Sequence, residues 1–120
     1  MIRILAVDDS PSMRDMVRIA LTDAGYEVTQ ATDGREALEF ARQGSFDLVL
    51  SDVNMPGMDG IDLIRALRSE SAYKHTPILM LTTESSVERK RAGKDAGATG
   101  WIVKPFDPEQ LVATMQRVLR

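Results

Sequence analysis

Ile2-Arg3-Ile4-Leu5-Ala6-Val7-Asp8-Asp9-Ser10-Pro11-Ser12 is the stretch that decides the fold. From Ile2 to Val7 every residue but Arg3 is apolar. The run is too short for a helix and reads as a buried strand. It stops at two aspartates, and Ser10-Pro11-Ser12 then offers a helix start, with proline suited to the first turn. Met13, Met16, Val17, Ala20, Leu21 and Ala24 recur at spacings of three and four, which predicts an amphipathic helix closed by Gly25. A buried strand feeding an amphipathic helix is one β-α unit.

The same unit recurs along the chain. Glu27 to Ala31 reads as a short strand, and Asp33 caps a helix through Ala37, Leu38 and Ala41 that stops at Gly44. Asp47 to Ser51 carries Leu48, Val49 and Leu50, a third strand. Val53-Asn54-Met55-Pro56-Gly57-Met58-Asp59-Gly60 is rich in turn residues and precedes a helix built on Ile61, Ile64 and Leu67. Pro77 opens the strand Ile78 to Leu81, and a fourth helix is expected from Ser86 to Ala96. A brief strand near Trp101-Ile102-Val103 leads to a last helix that buries Leu111, Val112, Met115, Val118 and Leu119. Five β-α units in succession predict an α/β, doubly wound parallel sheet with helices on both faces.

Helix four departs from the pattern. Only Val87, Ala92 and Ala96 are apolar, Gly93 interrupts it, and Glu88, Arg89, Lys90, Arg91, Lys94 and Asp95 load it with charge. A helix that buries so little is held weakly. Read alone, it is a solvated surface helix.

Composition narrows the function. The 120 residues suit one domain, 1–120, with no output domain expected after the fifth helix. The absence of cysteine excludes disulfides and thiolate chemistry, and it fits a reducing compartment. A net charge of −3 argues against nucleic acid as a partner. No stretch has the roughly 20 apolar residues of a membrane span, and the amino-terminal run lacks a signal peptide's pattern. A monomeric cytoplasmic protein is expected.

Parallel sheets bind ligands beyond the carboxyl ends of their strands. Strand one ends at Asp8 and Asp9, strand three at Asp52, strand four at Thr82 and Thr83, and strand five runs into Lys104. Singly, each residue has a plain role: Asp8 or Asp9 a helix cap, Asp52 a turn residue, Lys104 a surface lysine, Trp101 a packing residue, His75 loop surface. Together, three carboxylates repel one another and favour a hard divalent cation such as Mg²⁺. Mg²⁺ recruits phosphate oxygens, Lys104 supplies a point charge, Thr82 a hydroxyl, and a carboxylate is a competent nucleophile toward phosphorus.

Val7-Asp8-Asp9-Ser10, Asp52 to Gly60, Leu81-Thr82 and Val103-Lys104-Pro105-Phe106, taken in this order, resemble the receiver domains of response regulators, and among them the CheY branch of chemotaxis proteins. The resemblance spans essentially the whole chain. It implies a flavodoxin-like fold of strand order 2-1-3-4-5 with five helices; this order is a known property of the fold family. It implies that Asp52 accepts a phosphoryl group from a CheA-like histidine kinase, that Asp8, Asp9, Asp52 and the backbone carbonyl of Asn54 hold Mg²⁺, and that Lys104 and Thr82 contact the phosphoryl group. It implies a cis Lys104–Pro105 bond, available cheaply only before proline. Trp101 stands where the family has a Tyr or Phe that turns inward, and as a bulkier ring it makes an inward rotamer prone to overpacking. Thr83 stands where the family often has Ala or Gly and narrows access to Asp52. Asn54 and Glu84, with Thr83, occupy positions that tune loss of the phosphoryl group, in which a phosphatase can assist. Helix four, strand five and helix five form the family's output surface, for a FliM-like flagellar switch protein.

Other classes fit less well. A haloacid dehalogenase-like phosphatase needs Asp-x-Asp after strand one, where Asp8-Asp9-Ser10 stands, and external substrate turnover is not expected. A flavodoxin needs a phosphate-binding loop there, and nucleotide fingerprints are missing. A receiver that is never phosphorylated is disfavoured because every signature residue is present. A phosphate sink or a regulator of a non-motor partner remains the alternative to motor control.

Overall fold

The computed structural model describes residues 1–83 and 87–119. The elements run β1 (Arg3–Val7), α1 (Pro11–Asp23), β2 (Glu27–Ala31), α2 (Gly34–Gln43), β3 (Leu48–Asp52), α3 (Gly60–Arg68), a 3-10 turn (Ser71–Tyr73), β4 (Ile78–Thr82), α4 (Val87–Ala96), β5 (Gly100–Val103) and α5 (Pro108–Val118). The five strands form one parallel sheet in the order β2-β1-β3-β4-β5. The expected fold class and strand order are both observed.

Alternation along the buried strands sorts the two layers. Ile4, Ala6, Leu48, Leu50, Leu79, Leu81 and Ile102 face α1 and α5, where they meet Val17, Leu21, Leu111 and Met115. Leu5, Val7, Val49, Ile78 and Met80 face the other way, onto Ala37, Ala41, Leu63, Ile64, Leu67 and Ala96 of α2, α3 and α4. Successive side chains of a strand point to opposite faces, so each buried strand supplies both layers.

The helix ends follow the sequence closely. Ser10, Asp33, Asp59 and Asp107 each accept the N–H three residues on, capping α1, α2, α3 and α5. At the end of α1 the N–H groups of Gly25 and Tyr26 reach back to Thr22 and Leu21, and Gly25 has a φ of 96°. Ala24 is therefore the cap residue and is exposed, rather than part of the apolar face. The third strand lies one residue later than Asp47 to Ser51, because the Asp47 carboxylate accepts the Arg3 N–H at 2.8 Å and the ladder begins at Leu48. Of the residues expected to be buried by α5 only Leu111 and Met115 are; Val112, Val118 and Leu119 are half-buried, at the edge of the packed face or at the helix end. Among the described residues no helix is long and apolar enough to cross a membrane.

Candidate functional site

β1 and β3 are neighbours with Val7 opposite Ser51, so the residues that follow each strand emerge side by side. Asp8, Asp9 and Asp52 each present a carboxylate oxygen, and the three atoms lie within 4.8 Å of one another. Asp8 and Asp52 are buried, while Asp9 is exposed. Neither Asp8 nor Asp9 caps α1; Ser10 does, and its own N–H donates to Asp8 Oδ1 at 2.9 Å. That leaves the aspartates facing the strand ends.

Lys104 arrives from the far side. Its N–H donates to the Thr82 carbonyl at 2.8 Å, continuing the β4–β5 ladder one residue past β5. Its ammonium nitrogen lies 3.3 Å from both Asp8 Oδ2 and Asp52 Oδ1. The Lys104 side chain is only 14 % exposed, which is not the setting of an ordinary surface lysine. The Lys104–Pro105 bond is cis. Thr82 is buried at the end of β4, where it pairs with Val103, and Thr83 follows it on the surface.

Burial pushes the Asp52 carboxyl above the usual carboxylate range, and Asp8 and Asp9 push it the same way, while Lys104 pulls it back. One ammonium against three carboxylates leaves the cluster short of positive charge. Three convergent oxygen donors lacking a counter-charge suit a hard divalent cation such as Mg²⁺.

The loop after β3 is seated by one close approach. A Cβ on Gly60 would collide with the Asp52 carbonyl, and the Gly60 N–H donates to the Val53 carbonyl at 2.9 Å. Only glycine lets the start of α3 sit against the strand end that carries Asp52. Asn54, the second residue of this loop, is exposed. Glu84 lies outside the described residues, as does Ser86, the expected start of helix four.

The "Response regulator receiver domain" family matches residues 4–116. The chain belongs to the response regulator receiver family. The receiver is 43 % identical over 117 residues to chemotaxis protein CheY-3 of Vibrio cholerae, covering 97 % of this chain and 90 % of that one. It is 44 % identical over 119 residues to response regulator MprA of Mycolicibacterium vanbaalenii, covering 99 % of this chain but 51 % of that longer protein. The solved structure of chemotaxis response regulator CheY4 of Vibrio cholerae superposes with a TM-score of 0.95 at 60 % identity, covering 99 % of both chains.

On the receiver's β5, Trp101 is 38 % exposed rather than packed inward, with Lys90 Nζ 5.2 Å from the ring centre. Trp101 and Val103 lie on the same face of the sheet as Met80, the face that α4 leaves partly open. His75 is exposed loop surface, as expected.

Two residues with consequences for the receiver were not singled out from the sequence. Arg14 donates from Nη1 to the Asp8 carbonyl at 2.8 Å. Its signal is a cation at the head of the stripe 14-17-21, whose other members, Val17 and Leu21, are buried. Arg68 donates to the carbonyls of Tyr73, Thr76 and Gly97 at 2.7 to 3.0 Å, joining α3, the 3-10 turn and the end of α4. No pattern in the sequence distinguishes Arg68 from its solvated neighbour Arg65.

Proposed function

We propose that this receiver is a CheY-type regulator: Asp52 accepts a phosphoryl group from a CheA-like histidine kinase with Mg²⁺, and the surface of α4, β5 and α5 then controls a partner, the flagellar motor switch. The observation that carries the reading is the convergence of Asp8, Asp9 and Asp52 with Lys104 at one sheet edge.

Asp8, Asp9, Asp52 and the Asn54 carbonyl would hold the ion. Bound Mg²⁺ supplies positive charge to the oxygens of the transferring phosphoryl group and relieves the repulsion among the carboxylates. An Asp52 carboxylate oxygen attacks phosphorus as the bond to the phosphohistidine nitrogen breaks, and that nitrogen keeps the electron pair. Lys104, already beside Asp52, follows charge onto a phosphoryl oxygen. The Thr82 hydroxyl donates to another, drawing the end of β4 toward the phosphoryl group. Trp101 sits two residues before Val103, the strand partner of Thr82, on the same face of the sheet, and feels that movement. Asn54, Thr83 and Glu84 tune how fast water removes the group, and no external substrate is turned over. The reaction belongs in the cytoplasm, where the kinase and Mg²⁺ are available.

Motor control is favoured over a phosphate sink by the α4–β5 surface. Val87 is 69 % exposed beside Trp101, with Lys90, Arg91 and Lys94 and a single carboxylate, Asp95, around them, and Val103 is 41 % exposed two residues along β5. An apolar strip rimmed by lysine and arginine suits an acidic amphipathic segment.

The test is phosphotransfer from acetyl phosphate with Mg²⁺, followed by intact mass and Trp101 emission, on wild type and Asp52→Asn. A gain of one phosphoryl mass that requires both Mg²⁺ and Asp52 is expected, with a change in emission. No gain in wild type overturns the reading. Binding of a flagellar-switch peptide that tightens with a phosphoryl mimic separates motor control from a sink.

A further inference from the structure

The three site carboxylates are not held alike. Asp8 is restrained at every polar atom: its N–H donates to the Ala31 carbonyl, Oδ1 accepts from Ser10, Oδ2 from Lys104, and its carbonyl from Arg14. Asp52 ends a buried strand, pairs with Lys104, and is backed by Gly60. Asp9 is exposed, and among the described residues nothing bonds its carboxylate. The backbone is therefore what places it, through the plane of the Asp8–Asp9 peptide from which the Asp9 side chain departs.

Arg14 holds that peptide. Its guanidinium donates to the Asp8 carbonyl at 2.8 Å, and its own carbonyl accepts from Gln30 Nε2 of β2 at 2.7 Å. Arg14 is half-buried and lines a narrow cleft with Ala6, Asp8, Val17, Leu50 and Leu81. Among the described residues no ion pair joins Arg14 to any of the three carboxylates. The bond to a neutral carbonyl fixes geometry without neutralising the site.

We propose that Arg14 is a positioning residue for Mg²⁺, fixing the Asp8–Asp9 peptide through the Asp8 carbonyl and so aiming the Asp9 carboxylate at the ion. This deepens the proposed function and rests on Asp8, Asp9 and Asp52 holding the metal. Groups that orient metal ligands typically change affinity by about 10- to 100-fold when removed. The sign of the effect is diagnostic. A guanidinium near a cation site opposes binding by charge, so removing it tightens Mg²⁺ if electrostatics dominates. Removing it weakens Mg²⁺ if the positioning bond dominates.

The experiment is calorimetric titration of the whole chain with MgCl₂ at constant ionic strength, on wild type, Arg14→Met, Arg14→Lys, Asp9→Asn and the Arg14→Met/Asp9→Asn pair. Arg14→Met is expected to weaken binding about tenfold, and Arg14→Lys to recover part of it through a single donor. In the Asp9→Asn background Arg14→Met is expected to cost nothing further, because the two act through one ligand. Unchanged or tighter binding by Arg14→Met overturns the proposal, as does an equal loss in both backgrounds. Should Arg14→Met fail to fold, Arg14→Lys measured with and without Asp9→Asn carries the same comparison. Wild type that binds no Mg²⁺ removes the proposed function together with this inference; wild type that binds, with Arg14→Met unaffected, removes the inference alone.

Discussion

α3 and α4 lie against the same face of the sheet, and they are held in opposite ways. α3 buries Ile61, Leu63, Ile64 and Leu67, is capped by Asp59, and starts against the Asp52 backbone at Gly60. α4 has one more residue and buries only Gly93 and Ala96. A buried aliphatic side chain contributes about 1.5–3 kcal/mol, so α3 has several such contributions and α4 has none. What holds α4 is a seat, where a Cβ on Gly93 would collide with Met80 Cε, and a clamp, where Arg68 grips the Gly97 carbonyl with two N–H groups. Under the proposed function, the helix beside the carboxylates is thus the firmly packed one, and the helix of the output surface is the weakly packed one. Shifting a two-state surface from about 1:99 to 99:1 takes roughly 5.5 kcal/mol of differential binding. A weakly packed α4 lowers the repacking that must be opposed on top of that.

Matched truncations test the contrast most severely. Leu63→Ala is expected to cost about 2–5 kcal/mol in urea denaturation, and Val87→Ala less than about 0.5 kcal/mol. Equal losses would mean that α4 is packed as firmly as α3. Arg68→Met comes next, because it leaves the Tyr73, Thr76 and Gly97 carbonyls without their donor. A loss of about 2–3 kcal/mol is expected, with hydrogen exchange accelerated along α4 and hardly changed in α3. Exchange rising equally in both helices would show that the clamp serves the whole layer.

The acidic cluster gives a test by direction. The native Asp52 carboxyl is raised above its unfolded value of 3.8, so the folded protein binds this proton more tightly than the unfolded chain. In chelator, Asp52→Asn is therefore expected to melt above wild type at pH 7. The gap should narrow as pH falls through the raised native value and level off below about 3.8. A gap that widens on acidification would show that Lys104, not burial, dominates the site. Gly93→Ala is expected to change stability by less than about 1 kcal/mol, since the gain in helix propensity offsets the displaced tip of Met80. Trp101 emission should shift all the same as α4 is lifted; unchanged emission would show that the seat does not set its position. A comparably small effect belongs to Lys90→Ala, which removes an exposed cation–ring contact of about 0.5–1 kcal/mol. Its main readout is Trp101 emission, with melting lowered by no more than a few degrees.

Much of this contrast was legible in the sequence, because it is local. Short apolar runs marked the strands and a period of 3.6 the helices, and the helix starts at Ser10 and Asp33 were readable, while the caps at Asp59 and Asp107 emerged only in the structure. The poverty of α4 in apolar residues could be counted directly. Strand ends named the site residues, because a parallel sheet delivers them to one edge whatever their separation along the chain. Lys104 and Asp8 stand 96 residues apart and still meet at 3.3 Å.

Tertiary structure alone decided the rest. Arg14 and Arg68 look like other helical arginines until the fold brings carbonyls from distant segments within reach of their guanidinium groups. Gly60 and Gly93 look like helix-weakening glycines until the fold sets the Asp52 backbone against the one and the tip of the Met80 side chain against the other. Trp101, by composition a packing residue, is left 38 % exposed because α4 seats Gly93 on Met80 and turns charged residues such as Lys90, not apolar ones, toward the ring. Element type and site chemistry follow from residue identity and period, which the chain carries locally. Which backbone group meets which side chain depends on how the layers dock, and no local pattern encodes that distance.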